Sequence, residues 1–310
     1  ETPLVRVHAS QDEVPVYAKL ESFNPGASVK DRIGKYMLKE MMKRGDVPEG
    51  GTIIEPTAGN TGIGMAIAAG QLGLKAVFVV PERFSVEKQK IMKALGAEII
   101  NTPTEEGMGR AKEKAYELAQ ERENAVVPEQ FSNPLNVEAH YETTGPEIYD
   151  ALDGEVGAVV AGCGTAGTLM GIAKYAEEEG HETYIGAVEP EGSVYSRFFG
   201  EEAEETDYKT EGIGTHNIEL NELFEPDLVD ELIQVNDRDA QDEIKRLARE
   251  EGHLVASSSG AASVGALDVA ERIKSGEIDA PYKSVVTVFP DSSERYLSKG
   301  IYDEYEEWEG

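Results

Sequence analysis

The sequence predicts an α/β protein built on parallel sheets, and three observations predict it. Strand-like and helix-like segments alternate along the chain, the order that a parallel sheet with helices on its faces produces. Two of these alternations carry a turn of small residues between strand and helix, Thr57-Ala58-Gly59-Asn60-Thr61-Gly62 and Gly162-Cys163-Gly164-Thr165-Ala166-Gly167-Thr168. The third is size: 310 residues with 40% hydrophobic content suffice for two domains and a sizeable core.

Residues 16–21 read as a strand. They lead to Asn24-Pro25-Gly26-Ala27-Ser28-Val29-Lys30-Asp31-Arg32, where Ser28 is expected to cap a helix and Asp31 to complete a short capping box. Ile33, Met37 and Met41 then recur at spacings of four and give that helix one apolar face. Residues 52–55 form the strand before the first small-residue turn, and 63–72 the helix after it. Strands at 75–81, 98–101 and 125–128 are separated by helices at 86–95 and 109–122. The second turn lies between a strand at 156–161 and a helix at 169–178. Strands at 183–188, 254–256 and 284–289 and helices at 240–250 and 261–273 complete the pattern.

Backbone N–H groups at a helix start lack partners and suit anions. One such turn fits a carboxylate and the other a phosphate. Lys30, at the mouth of a turn, can hold an amine against a bound aldehyde; alone, it would more simply be a surface lysine in a first turn. A lysine, a phosphate cup and a carboxylate site together point to pyridoxal phosphate and an amino acid.

These three elements, in this order, resemble the cysteine synthase and cystathionine β-synthase family of pyridoxal-phosphate enzymes. Further matches are Gln130-Phe131-Ser132-Asn133-Pro134, Glu142-Thr143-Thr144-Gly145-Pro146-Glu147, Glu211-Gly212-Ile213-Gly214, Ser258-Ser259-Gly260-Ala261 and the run from Pro290 through Asp291 and Ser292 to Ser298. The resemblance covers essentially the whole chain. It implies the type II (tryptophan synthase β-like) fold: a smaller α/β domain at 34–143 and a larger one made of 1–33 plus 144–310. The active site would lie in the cleft, and no regulatory C-terminal module is expected.

The resemblance also implies residue roles. Lys30 would carry the cofactor and act as the catalytic base at the substrate α-carbon. Asn60 would bond the ring's phenolic oxygen, and Gly164, Thr165, Ala166, Gly167 and Thr168 would hold the phosphate. Ser292 would face the pyridine nitrogen, unless the neighbouring Asp291 does so. Thr57, Ala58, Gly59, Thr61 and Gln130 would bind the substrate carboxylate, and Gly212 would line the edge of the cleft. The implied reaction is β-replacement on O-acetylserine or serine by a thiol, with sulfide giving cysteine or homocysteine giving cystathionine. Several segments look most like the bacterial branch that uses O-acetylserine and homocysteine. A homodimer is implied as well.

Two positions depart from the family pattern. Ala58 replaces a usual serine and loses a hydroxyl from the carboxylate loop; Ala166 replaces a usual glycine and adds a methyl to the phosphate cup. Arg83 could meet an extra anionic group on the substrate, although pairing with a surface carboxylate is the simpler expectation.

Composition bears on the remaining classes. Sixty Asp and Glu against 29 Lys and Arg give a formal charge of −31, which repels nucleic acid and anionic membranes. Charge this lopsided suggests a halophile, with carboxylates keeping a hydrated surface in a salt-rich cytoplasm. Cys163 is the only cysteine, and the five histidines show no ligand spacing, so no metal is expected. No apolar run reaches membrane length, and a cytoplasmic protein is expected. Three rivals remain. A serine or threonine dehydratase would share the early steps. A non-catalytic amino-acid-binding protein would use the cleft alone. Gly162, Gly164 and Gly167 with Glu189 also satisfy a dinucleotide pattern, but that reading leaves Lys30 and the Asn60 turn unexplained.

Overall fold

The computed structural model describes residues 1–8 and 13–310. Ten strands and nine α-helices are found among them: β1 (Leu4–Val7), β2 (Val16–Leu20), α1 (Lys30–Arg44), β3 (Thr52–Pro56), α2 (Asn60–Leu72), β4 (Lys75–Pro81), α3 (Val86–Ala94), β5 (Glu98–Thr102), α4 (Gly107–Glu121), β6 (Ala125–Val126), α5 (Leu135–Tyr141), α6 (Thr144–Ala151), β7 (Ala158–Gly162), α7 (Gly167–Glu178), β8 (Tyr184–Pro190), β9 (Glu231–Val235), α8 (Asp237–Arg246), α9 (Ser257–Ser275) and β10 (Val285–Phe289). The chain forms two compact units, Asn24–Ala139 and Glu1–Phe23 with His140–Gly310.

The smaller unit holds a four-stranded parallel sheet in the order β5-β4-β3-β6. Successive strand residues point to opposite faces, so both faces must be covered. Ile53 and Phe78 pack with Ile33, Met37 and Met41 of α1 and with Ile63 of α2. Ile54, Val77 and Val79 pack on the other face against Ala111, Ala115 and Leu118 of α4. Helices α1 and α2 touch through glycines. A Cβ at Gly34 would lie 2.5 Å from the Gly64 carbonyl carbon, and one at Gly64 would lie 2.5 Å from the Lys30 carbonyl oxygen. That contact ties all of α1 to α2. The unit accordingly begins at Asn24, not near Gly34, and includes the lysine turn.

The larger unit holds a six-stranded sheet in the order β1-β2-β10-β7-β8-β9. Only β1 is antiparallel, pairing Val7 with Val16 at the sheet edge. Central strands read Ala-Val-Val-Ala-Gly (β7) and Val-Val-Thr-Val-Phe (β10), nearly continuous apolar runs, as strands buried on two faces require. The core gathers Val160, Val188, Val285 and Phe289 from the sheet with Ala266, Val269 and Ile273 from α9.

Several local expectations change. Val29, already helical at φ −56° and ψ −24°, is the N-cap of α1, so Ser28 stands one residue too early to cap it. The Ser28 hydroxyl accepts the Lys30 N–H at 3.3 Å, and Asp31 turns back to accept from the Gly26 N–H instead of closing a capping box. The strand expected at 254–256 is a single bridge between Val255 and Ser292. Helix α8 starts earlier than expected because Asn236 caps it, accepting the Asp239 N–H at 2.9 Å, and it ends in a π turn at Leu247–Glu251.

Candidate active site

Lys30 is the first residue of α1, and the Gly64 contact seats its backbone on the second turn of α2. Its side chain is half-buried and forms no ion pair among the described residues. Desolvation alone lowers its pKa to about 8. At pH 7 about a tenth of such amines are neutral, enough for a lysine to take up a proton from carbon or bond to a carbonyl carbon.

The 57–62 turn joins β3 to α2. Thr57 is buried, and its hydroxyl accepts the Gly59 N–H at 3.2 Å. Ala58 follows it and packs partly buried beside the core of the smaller unit. Gly59 is the N-cap of α2 and brings no side-chain cap, so Asn60 and Thr61 open the helix. The Thr61 hydroxyl donates to Gln130 Oε1 at 2.6 Å. Two consequences follow from that bond. Thr61 has spent its side-chain proton and can meet a carboxylate only through its backbone N–H. Gln130 has its oxygen occupied, leaving Nε2, which makes no bond among the described residues, as a donor. The lysine, the Asn60 turn and Gln130 are thus brought together within the smaller unit.

The other candidates lie in the larger unit. Its 162–168 turn joins β7 to α7, and Ala166, the N-cap of α7, supplies no side-chain cap. Thr165 is buried, and its hydroxyl accepts the Gly167 N–H at 3.4 Å. The Thr168 hydroxyl lies 3.2 Å from Nε2 of the fully buried His140, whose Nδ1 lies 2.8 Å from the Thr144 hydroxyl. A Cβ at Gly164 would collide with the Gly212 carbonyl oxygen, so Gly212, at φ +86°, is packed against the 162–168 turn and belongs to the larger unit, whereas the other substrate candidates belong to the smaller one. The Gly214 N–H reinforces this packing by donating to the Cys163 carbonyl at 2.6 Å. Ala166 has φ +66°, in the left-handed region, which explains why glycine is the natural residue there.

Ser292 follows β10, the strand beside β7, and its half-buried hydroxyl makes no hydrogen bond among the described residues. The Asp291 carboxylate is instead buried and accepts from the Tyr296 hydroxyl at 2.6 Å. Cys163 is fully buried, and burial, with Glu189 nearby, pushes its thiol pKa up, so it is no thiolate. Glu189, the acid of the dinucleotide pattern, is also fully buried. Its carboxylate accepts the Tyr195 N–H at 2.9 Å and Gln234 Nε2 at 3.0 Å, which leaves it no reach toward a ribose.

A family model described as pyridoxal-phosphate dependent enzyme matches residues 1–291. The chain belongs to the pyridoxal-phosphate-dependent enzyme family. It is 45% identical over 304 residues to the O-acetylserine dependent cystathionine beta-synthase of Bacillus subtilis, covering 97% of this chain and 95% of that protein. It is 46% identical over 287 residues to a cysteine synthase of Helicobacter pylori, covering 93% and 90%. Among solved structures, the O-acetylserine dependent cystathionine beta-synthase of Helicobacter pylori superposes with a TM-score of 0.85 at 42% identity, over 97% of this chain and 96% of that one.

The residues of this pyridoxal-phosphate enzyme fit its cofactor. An uncapped helix start with a cradle closed by Gly212 suits a phosphate, and a lysine whose pKa is lowered by desolvation suits an aldehyde. Arg83, expected to pair with a surface carboxylate, is exposed and forms no ion pair among the described residues. Sequence reasoning missed Tyr195 and Asn221, which both donate to the Gly164 carbonyl, at 2.7 and 2.6 Å, and brace the 162–168 turn. It also passed over Glu55, although a carboxylate inside the apolar run Thr-Ile-Ile-Glu-Pro was a visible signal. Among the described residues no group of three or more His, Cys, Asp or Glu could hold a metal ion, and no helix is long and apolar enough to cross a membrane.

Proposed function

We propose that this enzyme catalyses β-replacement on O-acetylserine, with homocysteine or sulfide as the incoming thiol. The observation that carries the reading is the cluster in the smaller unit: a lysine with its pKa lowered to about 8, held on the same helix pair as a carboxylate loop whose Gln130 amide is fixed by Thr61. The cofactor, when bound, supplies the electron sink that stabilises negative charge at the substrate α-carbon. The chain does the rest. Gln130 Nε2 and the backbone N–H groups at the start of α2 bind the substrate carboxylate. Lys30 Nζ removes and returns the α-proton. Residues 164–168 would hold the cofactor phosphate, and Asn60 and Ser292 would bond its ring, Asn60 at the phenolic oxygen and Ser292 at the nitrogen. A neutral hydroxyl at that nitrogen favours quick expulsion of a β-leaving group.

Homocysteine is the first choice of thiol, in keeping with the relatives that use O-acetylserine to make cystathionine. The enzyme is further proposed to act as a cytoplasmic homodimer, and its surplus of carboxylates to suit high salt.

The test is spectroscopic. Purified protein loaded with pyridoxal phosphate is given O-acetylserine, then sulfide or homocysteine in separate cuvettes. A visible absorbance that shifts on the first addition and returns on the second is the expected result, and the faster thiol names the product. Keto acid released without thiol would make it a dehydratase. No response to O-acetylserine would refute the reading.

A further inference from the structure

Glu55 is the fourth residue of β3 and is only 2% exposed. A buried carboxylate requires donors. Glu55 finds them in the main chain of a distant segment: Oε2 accepts the Glu129 N–H at 3.1 Å, and Oε1 accepts the Gln130 N–H at 3.4 Å. Glu129 has φ +62°, a conformation disfavoured for any residue with a side chain. The Tyr116 hydroxyl holds the same residue by donating to the Glu129 carboxylate. The next residue, Gln130, has its carbonyl fixed by Asn136 Nδ2 at 2.7 Å and its Oε1 fixed by Thr61. The turn that presents the Gln130 amide is therefore held by four side chains, Glu55, Tyr116, Asn136 and Thr61, and among the described residues Glu55 is the one that meets its N–H groups.

We propose that Glu55 is a positioning residue for the substrate carboxylate, holding the 129–130 turn so that Gln130 keeps Nε2 free to bind it. The inference rests on the β-replacement reading for the identity of the ligand. It does not rest on it for the holding of the turn. Burying a carboxylate in a strand is costly, and here both oxygens are spent on two consecutive N–H groups that no strand or helix satisfies. Glu55 is buried with both oxygens on the Glu129 and Gln130 N–H groups, so its proposed action is through Gln130.

Three variants test this in the cofactor-loaded enzyme: E55Q, E55A and Q130A. Gln at 55 keeps one acceptor oxygen but sets an NH₂ group against the second N–H; Ala removes both acceptors. The expected result is a Kd for O-acetylserine, read from cofactor absorbance, that rises several-fold in E55Q and about tenfold or more in E55A. The absorbance before substrate is added should stay unchanged, since Gln130 is placed at the substrate. Adding E55Q to Q130A should cost nothing further in Kd, because the two act as one unit. Hydrogen exchange at the Glu129 and Gln130 amides should quicken in E55Q, a readout independent of any substrate. Kd values within twofold of wild type for both Glu55 variants, or full additivity with Q130A, would overturn the proposal. Should E55A fail to fold, E55Q and the amide exchange decide alone. A wild-type enzyme that ignores O-acetylserine would refute the functional reading, and slow amide exchange in E55Q would separately refute the holding of the turn.

Discussion

Lys30 is a half-buried amine that has no carboxylate partner among the described residues. Replacing it with Ala removes the proposed base and cofactor anchor, yet breaks no ion pair. K30A is therefore expected to lose β-replacement by at least a thousandfold, as an order of magnitude for losing a positioned base together with its cofactor bond. Its far-ultraviolet circular dichroism should match wild type; full activity in K30A would refute the assignment. Glu55 carries the opposite electrostatics. Burial raises its pKa from 4.5 to about 7, opposed by the Glu129 and Gln130 N–H groups and by Lys112, and aided by the charge on Glu129. Between those two pH values the folded state binds more protons than the unfolded chain, so stability falls as pH rises through the window. Relative to E55Q, wild type should lose on the order of 3 kcal/mol between pH 4.5 and pH 7 and beyond. Urea unfolding of both proteins at pH 5 and pH 8 measures that difference. Ala166 sits at φ +66° with a Cβ that glycine would not carry. A166G should stabilise the cofactor-free protein by roughly 0.5–1 kcal/mol, the left-handed penalty less the entropy that glycine adds to the unfolded chain.

Between elements, the contact that matters most to the site is the glycine crossing of α1 and α2. Substituting Ala at Gly64 drives a methyl into the Lys30 carbonyl, a backbone atom that cannot rotate away. G64A is expected to cost about 1–3 kcal/mol in urea unfolding and to weaken cofactor loading, because overpacking here shifts the lysine itself. Wild-type loading would show that the helix pair is more plastic than the crossing suggests. The two glycine turns and the lysine turn were legible because clusters of small residues interrupt a strand-to-helix transition, and that signal is local. Other features were not. The strand β1 is four residues at a sheet edge, and β9 reads Glu-Leu-Ile-Gln-Val, too polar to stand out from its neighbours. The Ser28 cap failed because Val29 is already helical, a one-residue matter that spacing cannot resolve. Glu55 was visible as a charge among isoleucines, but its partners lie 74 and 75 residues away, and no period in the sequence links them. Local chemistry could be read; long-range partnership could not.

Across the whole molecule, 60 acidic against 29 basic residues leave a self-repulsion that salt screens. Under the high-salt proposal, the midpoint of thermal unfolding should climb as KCl is raised from 0.1 M to 2 M. A midpoint that ignores molar KCl would sink that proposal, with the enzymatic one untouched. The six-stranded sheet bears on how the chain is made. Its strand β10, at Val285–Phe289, lies between β2 and β7, so the first strands in sequence wait for the last one to be hydrogen-bonded on that side. At ribosomal speeds, the stretch from residue 20 to residue 285 takes on the order of tens of seconds to emerge. Throughout that time β2 has a bare edge toward its absent neighbour. The smaller unit, whose four strands all lie within residues 24–139, has its whole sheet in hand long before. Nascent chains halted after residue 139 should already protect the lysine turn from protease, while those halted before residue 285 should leave the larger sheet open to chaperones.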